Sequence, residues 1–263
     1  VLVTGGAGYV GTVLVSRLLA EGHRVKVLDL YLFGDNVLNS VKDHPGLSQI
    51  RGDIRDEEVL RSVVSGCDAV IHLAAISNDP SFELNPTLSR SINYDAMGPL
   101  VNISKEMGVN RFIFASTSSV YGVSDVENVT ETHPLLPITD YNKYKGLSEP
   151  ILLNEQSSDF TAIVVRPATV CGYSPRQRLD LAVNILTSQA IHSGQITVFG
   201  GGQMRPNIHI RDVVDLYTML LEVRAELVGG RIYNAGYQNL TISQIALMVK
   251  EVIESETSSG SGI

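Results

Sequence analysis

A chain of 263 residues with 44% apolar side chains can bury one large domain, or a nucleotide-binding domain with a smaller appendage. Its net charge of -8 gives nucleic acid and anionic membranes nothing to bind, with no basic cluster beyond Arg176, Gln177 and Arg178. Two lone cysteines, Cys67 and Cys171, make neither a disulfide framework nor metal-ligand spacing, which points to a reducing cytosol, and no apolar run approaches the roughly 20 residues that cross a bilayer. The chain begins inside a strand rather than with a signal peptide. Its Ser255 to Ile263 tail is Ser/Gly-rich, like the start of a loop, so residues are expected to be missing at both ends.

Val1 to Val3 reads as a strand that runs into Thr4-Gly5-Gly6-Ala7-Gly8-Tyr9-Val10-Gly11 and then into an amphipathic helix to Ala20, which Gly22 can stop. Gly5, Gly8 and Gly11 let the backbone turn sharply, approach a pyrophosphate closely and pack the helix on the sheet. The bare N–H groups of Tyr9, Val10 and their neighbours, at the positive end of the helix dipole, supply the attraction for the anion. A second strand, Arg24 to Leu28, ends at Asp29, 18 residues after Gly11. There a carboxylate can accept both hydroxyls of an adenosine ribose and would repel a 2′-phosphate, which favours NAD over NADP.

A third strand, Ser48 to Arg51, leads to Asp53 and Ile54, placed to meet the adenine amino group and ring face; Asp53 is also readable as a cap or turn acid. After a helix over 56–64, Asp68 to Leu73 is apolar on both faces, as a buried parallel strand should be. Ala74 and Ala75 leave room for a cofactor. Residues 78–86 read as a polar loop, 91–107 as a helix and Arg111 to Ala115 as a fifth strand. Strand and helix thus alternate, which specifies a Rossmann-type, doubly wound parallel α/β sheet with its ligand crevice at the carboxyl ends of the strands.

The fifth strand ends in a run of hydroxyls, Ser116 to Ser119, followed by Val120, Tyr121 and Gly122. Tyr141 and Lys145 then share one face of a helix that reads to about Gln156. A free phenol is a poor base at neutral pH; a nearby ammonium and an oxidised nicotinamide ring are expected to favour its phenolate and lower its pKa, and Lys145 can also bond the nicotinamide ribose. Thr117 would hold the reacting oxygen beside Tyr141. Beyond residue 165 the pattern becomes irregular: a helix over 179–192, a strand over 197–199, a helix over 211–225, a strand over 231–234 and a helix opened by Thr241. We therefore expect a nucleotide-binding domain over 1–165 and a small mixed α/β substrate region over 166–263, interleaved with the last strands of the first. His209 reads as structural and Asp212 as a cap or first-turn acid.

In this order the motifs resemble the extended short-chain dehydrogenase/reductase family, and within it the NAD-dependent epimerase/dehydratase group acting on nucleotide sugars. The resemblance runs from the glycine loop through Asp53-Ile54, Leu73-Ala74-Ala75, Asn93, the hydroxyl run and Tyr141/Lys145 to Arg166-Pro167-Ala168-Thr169 and Pro175-Arg176-Gln177. It implies catalysis by Thr117, Tyr141 and Lys145, cofactor contact by Asn93, sugar contact by Ser118, Ser119, Thr169 and Arg176, and pairing of Arg205 with a substrate phosphate. It also implies a cytoplasmic homodimer built through a four-helix interface of the 91–107 helix and the helix carrying Tyr141. Sugar 4,6-dehydratases of this group carry Asp and Glu after the catalytic Thr, where this chain has Ser118 and Ser119. An epimerase, acting at C4 through a transient 4-keto sugar, is the expectation; the alternative is a net dehydrogenase or reductase of a keto sugar or other carbonyl.

Overall fold

The computed structural model describes residues 1–124, 126 and 128–258. The first half alternates as its periodicity demands: β1 (Leu2–Thr4), α1 (Tyr9–Ala20), β2 (Val25–Asp29), β3 (Leu47–Arg51), α2 (Glu57–Val64), β4 (Ala69–His72), α3 (Asp79–Leu84), α4 (Pro86–Arg90), α5 (Met97–Glu106), β5 (Arg111–Ala115), α6 (Asp140–Leu153) and β6 (Thr161–Pro167). The second half adds β7 (Thr169–Cys171), α7 (Ala182–Ser193), β8 (Met204–His209), α8 (Ile210–Glu222), α9 (Ala225–Val228), β9 (Arg231–Ala235), β10 (Gln238–Thr241) and α10 (Ile242–Ser258).

Seven strands form one parallel sheet in the order β3-β2-β1-β4-β5-β6-β9. Side chains alternate along each strand, so the sheet buries two cores. Val3, Val27, Ile71, Ile113 and Ile163 face α1 and α8 through Leu14, Leu18, Val213 and Tyr217. Leu2, Leu28, Val70, Phe112 and Val164 face the opposite layer through Leu60, Leu100, Val101 and Leu152. Strand order reverses at β1, between β2 and β4, and that reversal opens a crevice above the carboxyl ends of the strands. A second sheet, β10-β8-β7, pairs β7 with β8 in parallel and β8 with β10 antiparallel; beside it α7 and α10 close a small core around Leu186, Ile245 and Val249. β9, from the second half of the chain, completes the large sheet.

Four expectations are corrected. Residues 78–86 are not a loop: Asn78 accepts the Ser81 N–H at 2.8 Å to cap α3, and Asn85 accepts the Leu88 N–H at 3.1 Å to cap α4. The helix expected over 91–107 opens with a π-helical turn, Ser91–Asp95, before α5 begins. No strand occupies 197–199; the chain turns through Gly200 and Gly201 at positive φ and pairs only from Met204 onward. α10, whose Thr241 hydroxyl accepts the Gln244 N–H at 3.1 Å, runs through Ser258 instead of ending at Ser255, and 259–263 lie outside the described residues.

Candidate active site

The glycine loop forms the floor of a crevice of about 220 Å³. Gly5 adopts φ +74°, and a Cβ there would lie 2.6 Å from the Ala74 nitrogen; a Cβ on Gly11 would lie 2.3 Å from the Gly5 carbonyl oxygen. Side chains are therefore excluded where strand, loop and helix meet. Gly8 begins α1 with no side-chain cap, which leaves the first-turn N–H groups facing the crevice as anion donors. Asp29 braces this cradle: one carboxylate oxygen accepts the Ala7 N–H at 3.0 Å and the other the Tyr31 N–H at 2.9 Å. Each oxygen keeps a lone pair for a ribose hydroxyl. A cradle that a single Cβ would fill, bordered by a carboxylate, fits a dinucleotide's pyrophosphate and adenosine ribose.

Asp53 and Ile54 line the same wall. Arg55 grips the Asp53 carboxylate through Nε and its terminal nitrogen, at 2.9 and 2.5 Å, and holds it below the usual carboxylate range. The cap of α2 is Asp56, not Asp53. Leu73, Ala74 and Ala75 continue the wall. Asn93 stands behind them: its side chain accepts the Ile76 N–H at 2.8 Å and donates to the Ile76 carbonyl at 2.9 Å, which fixes the strand exit.

Tyr141 and Lys145 project from α6 into the crevice, together with Ala115 and Ser116 at the end of β5. Lys145 is 3% exposed; its Nζ donates to the Ala115 carbonyl at 2.7 Å and lies 4.8 Å from the Phe114 ring centre. Burial lowers its pKa to about 7, against the pull of Glu149 one turn later. Burial likewise pushes the Tyr141 phenol up to about 12, opposed by the Arg178 guanidinium and reinforced by Asp79. Burial therefore outweighs any cation here, and the phenol stands above its ordinary value where the sequence led us to expect it below. Arg178 is the cation that acts on the phenol.

Thr117 caps the short helical turn Ser118–Tyr121, its hydroxyl accepting the Ser119 N–H at 3.2 Å. Thr117, like Ser118 and Ser119 on that turn, lies outside the crevice wall, which takes Ser116 from this run, and Thr169 lies on β7 beside the lining residue Val170. Arg205 is exposed on β8 and the crevice does not include it. Arg176 lies on the wall, close to Phe33. His209 is a helix cap, its ring accepting the Arg211 N–H at 3.3 Å, and Asp212 is a first-turn acid. Sequence reasoning did not single out Ser116, Arg178, Phe33 or Tyr217, all of which line the crevice. The signal for Ser116 was present in the hydroxyl run. Arg178 had its signal in the one basic cluster, and nothing local distinguishes Phe33 or Tyr217 from surface or core residues.

The profile of the NAD dependent epimerase/dehydratase family matches residues 1–236, most of the chain. The chain belongs to that family. Among its curated members, UDP-arabinose 4-epimerase 1 of Arabidopsis thaliana is 29% identical over 90% of this chain, and UDP-glucose 4-epimerase of Lactobacillus helveticus 29% identical over 95%. The chain spans 62% of the length of the first and 81% of the second. Among solved members, the NAD complex of UDP-glucose 4-epimerase from Thermus thermophilus superposes with a TM-score of 0.82 at 27% identity, over 95% of this chain and 82% of that one. DesIV, a dTDP-glucose 4,6-dehydratase from Streptomyces venezuelae with NAD bound, superposes at 0.85 with 26% identity, over 96% and 80%. The family therefore includes members of both reaction types.

The buried amine has a consequence for stability. Between about pH 7 and its ordinary value of 10.5, Lys145 is deprotonated in the fold and protonated in the unfolded chain. The unfolded chain then binds more protons, so raising the pH through this window favours the fold. In denaturant titrations from pH 7 to 9, the ligand-free protein should gain stability relative to Lys145→Met. Parallel pH dependence of the two proteins would contradict the assignment.

Proposed function

We propose that this chain is an NAD-dependent nucleotide-sugar epimerase that inverts C4 through a transient 4-keto sugar. The observation that carries this reading is the opening of the glycine cradle, Tyr141 and Lys145 onto one crevice, while the positions after Thr117 are serines. NAD held here would supply the hydride acceptor and donor that inversion at the sugar carbon needs. Asp29 and the α1 N–H groups would hold its adenosine and pyrophosphate, and Ala74 and Ala75 would leave space for its body. Lys145 would hold the nicotinamide ribose through an N–H donor of its buried amine.

Tyr141 receives the C4 hydroxyl proton and later gives it back to the other face of the same carbon. A phenol near 12 in the ligand-free site is a strong base once deprotonated, and the positive charge a bound oxidised cofactor brings favours that phenolate. Thr117 orients the reacting oxygen. Dehydration needs carboxylates to move protons at neighbouring carbons, and Ser118 and Ser119 supply none. We extend the reading to a cytoplasmic homodimer through α5 and α6, for which a sedimentation mass of one chain would be contrary evidence.

The test is to incubate the protein and NAD with UDP-, GDP-, dTDP- and CDP-linked sugars while following absorbance at the NADH band and product stereochemistry. Interconversion of two C4 isomers with no net NADH is expected. Stoichiometric NADH would instead indicate a dehydrogenase.

A further inference from the structure

One side of the crevice mouth carries a contact between segments far apart in sequence. The guanidinium carbon of Arg176 lies 3.5 Å from the centre of the Phe33 ring, a stacked arrangement across the entrance. Phe33 is 63% exposed, so no core packing accounts for its place. Both ends of the contact are built. On the Phe33 side, Tyr31 takes a left-handed φ of +54°, its N–H held by Asp29 and its hydroxyl by Gln49 at 3.2 Å, and Gly34 closes the turn onto the Tyr31 carbonyl.

On the Arg176 side, the loop after β7 is bolted to the start of α1. The Tyr9 hydroxyl donates to the Gly172 carbonyl at 2.7 Å and accepts from Asn184 at 3.1 Å. Ser174, 1% exposed, donates to the Tyr9 carbonyl at 2.7 Å, sits 2.8 Å from the Thr12 hydroxyl and accepts the Arg176 N–H at 3.3 Å. The same helix that presents the anion cradle therefore fixes the loop that carries Arg176.

Arg176 makes no salt bridge among the described residues; its side chain donates to the Gln177 carbonyl at 3.3 Å. Burial and the neighbouring Arg178 charge disfavour its cation, a cost that an arriving anion would relieve. Stacking uses the face of a guanidinium and leaves its in-plane N–H groups free to donate.

We infer that Arg176 and Phe33 form a clasp that retains the dinucleotide: the stack closes the crevice mouth while the free N–H groups of Arg176 bond the pyrophosphate lying on the α1 cradle. Retention suits a reaction that returns its hydride to the sugar and has no need to exchange cofactor. The inference rests on the dinucleotide reading of the crevice given above, and it moves Arg176 from the sugar to the cofactor.

The experiment loads the protein with NADH, chases with excess NAD and follows the loss of bound-NADH fluorescence. Phe33→Ala should speed release by about two- to fivefold, the size of a solvent-exposed cation–π contact. Arg176→Ala, which removes stack and phosphate contact together, should speed it at least as much, and the double variant should release no faster than Arg176→Ala. Phe33→Tyr should stay near the parent rate. Release at the parent rate in both single variants, or multiplied effects in the double variant, overturns the clasp. Failure of the parent protein to take up NADH contradicts the dinucleotide reading itself.

Discussion

Replacing Tyr141 with phenylalanine should lower kcat by about 10³-fold, within the range that positioned acid–base groups contribute, while leaving NAD bound. The phenol is the titratable group of α6 that opens onto the crevice alongside Lys145. Removing its oxygen leaves the ring, and so the packing of α6 at this point, in place. The loss should fall on kcat with little change in KM, because proton transfer belongs to the transition state and not to ground-state binding. Single-turnover absorbance with NAD-loaded protein checks this. Turnover within tenfold of the parent would remove Tyr141 from the mechanism.

The largest effect on stability is expected at Arg166. Its guanidinium reaches Glu149 through Nε at 2.9 Å and a terminal nitrogen at 2.5 Å, and its other terminal nitrogen donates to the Tyr121 hydroxyl at 2.6 Å and the Glu131 carbonyl at 3.2 Å. Both charged side chains are 3% exposed. Glu149 also accepts from Ser116 at 2.5 Å, and Tyr121 passes the network to Asn234 at 2.6 Å. One cluster therefore ties α6, the end of β5, β6 and β9 together one helical turn beyond Lys145.

Arg166→Ala strands a buried carboxylate, at a cost of about 3–5 kcal/mol. For a chain of this size Tm should fall by on the order of 10 °C. The double replacement Arg166→Met with Glu149→Leu should recover much of that loss, since it removes both charges and fills the volume. Calorimetry of the two variants separates the cases; a single variant as stable as the parent would mean that the pair is hydrated and not buried.

Much of the large sheet was legible because its signals are local. The glycines at 5, 8 and 11 have no other economical use, and an apolar run such as 68–73 leaves little room for a half-exposed strand. The misread segments have physical reasons. Asn78 with Pro80, and Asn85 with Pro86, are turn residues in composition, yet the same side chains cap helices and the same prolines suit a first turn, where no N–H is needed. β8 carries Pro206 and follows Gly200, Gly201 and Gly202, so its strand character comes from pairing with β7 on one side and β10 on the other.

The site was legible by residue type and less so by environment. Tyr141 and Lys145 were identifiable from their spacing, but the sign of the effect on the phenol was not. Desolvation of Lys145 against Ala115 and Phe114 depends on how deeply α6 sinks between β5 and the π-helical turn. The pairings of Arg166 with Glu149 and of Arg176 with Phe33 likewise join segments whose meeting only the fold determines. Helical Glu149 carries no mark in sequence that separates it from a solvated surface acid.

The most direct measurement uses a nucleotide sugar that the protein converts, deuterated at C4, in unlabelled water with unlabelled NAD. If Tyr141 moves only the hydroxyl proton and the carbon-bound hydrogen leaves and returns within one crevice, the C4-inverted product keeps its deuterium and no deuterated NADH accumulates. Product that carries solvent hydrogen at C4, or deuterium that leaves on free NADH, would contradict the epimerase account.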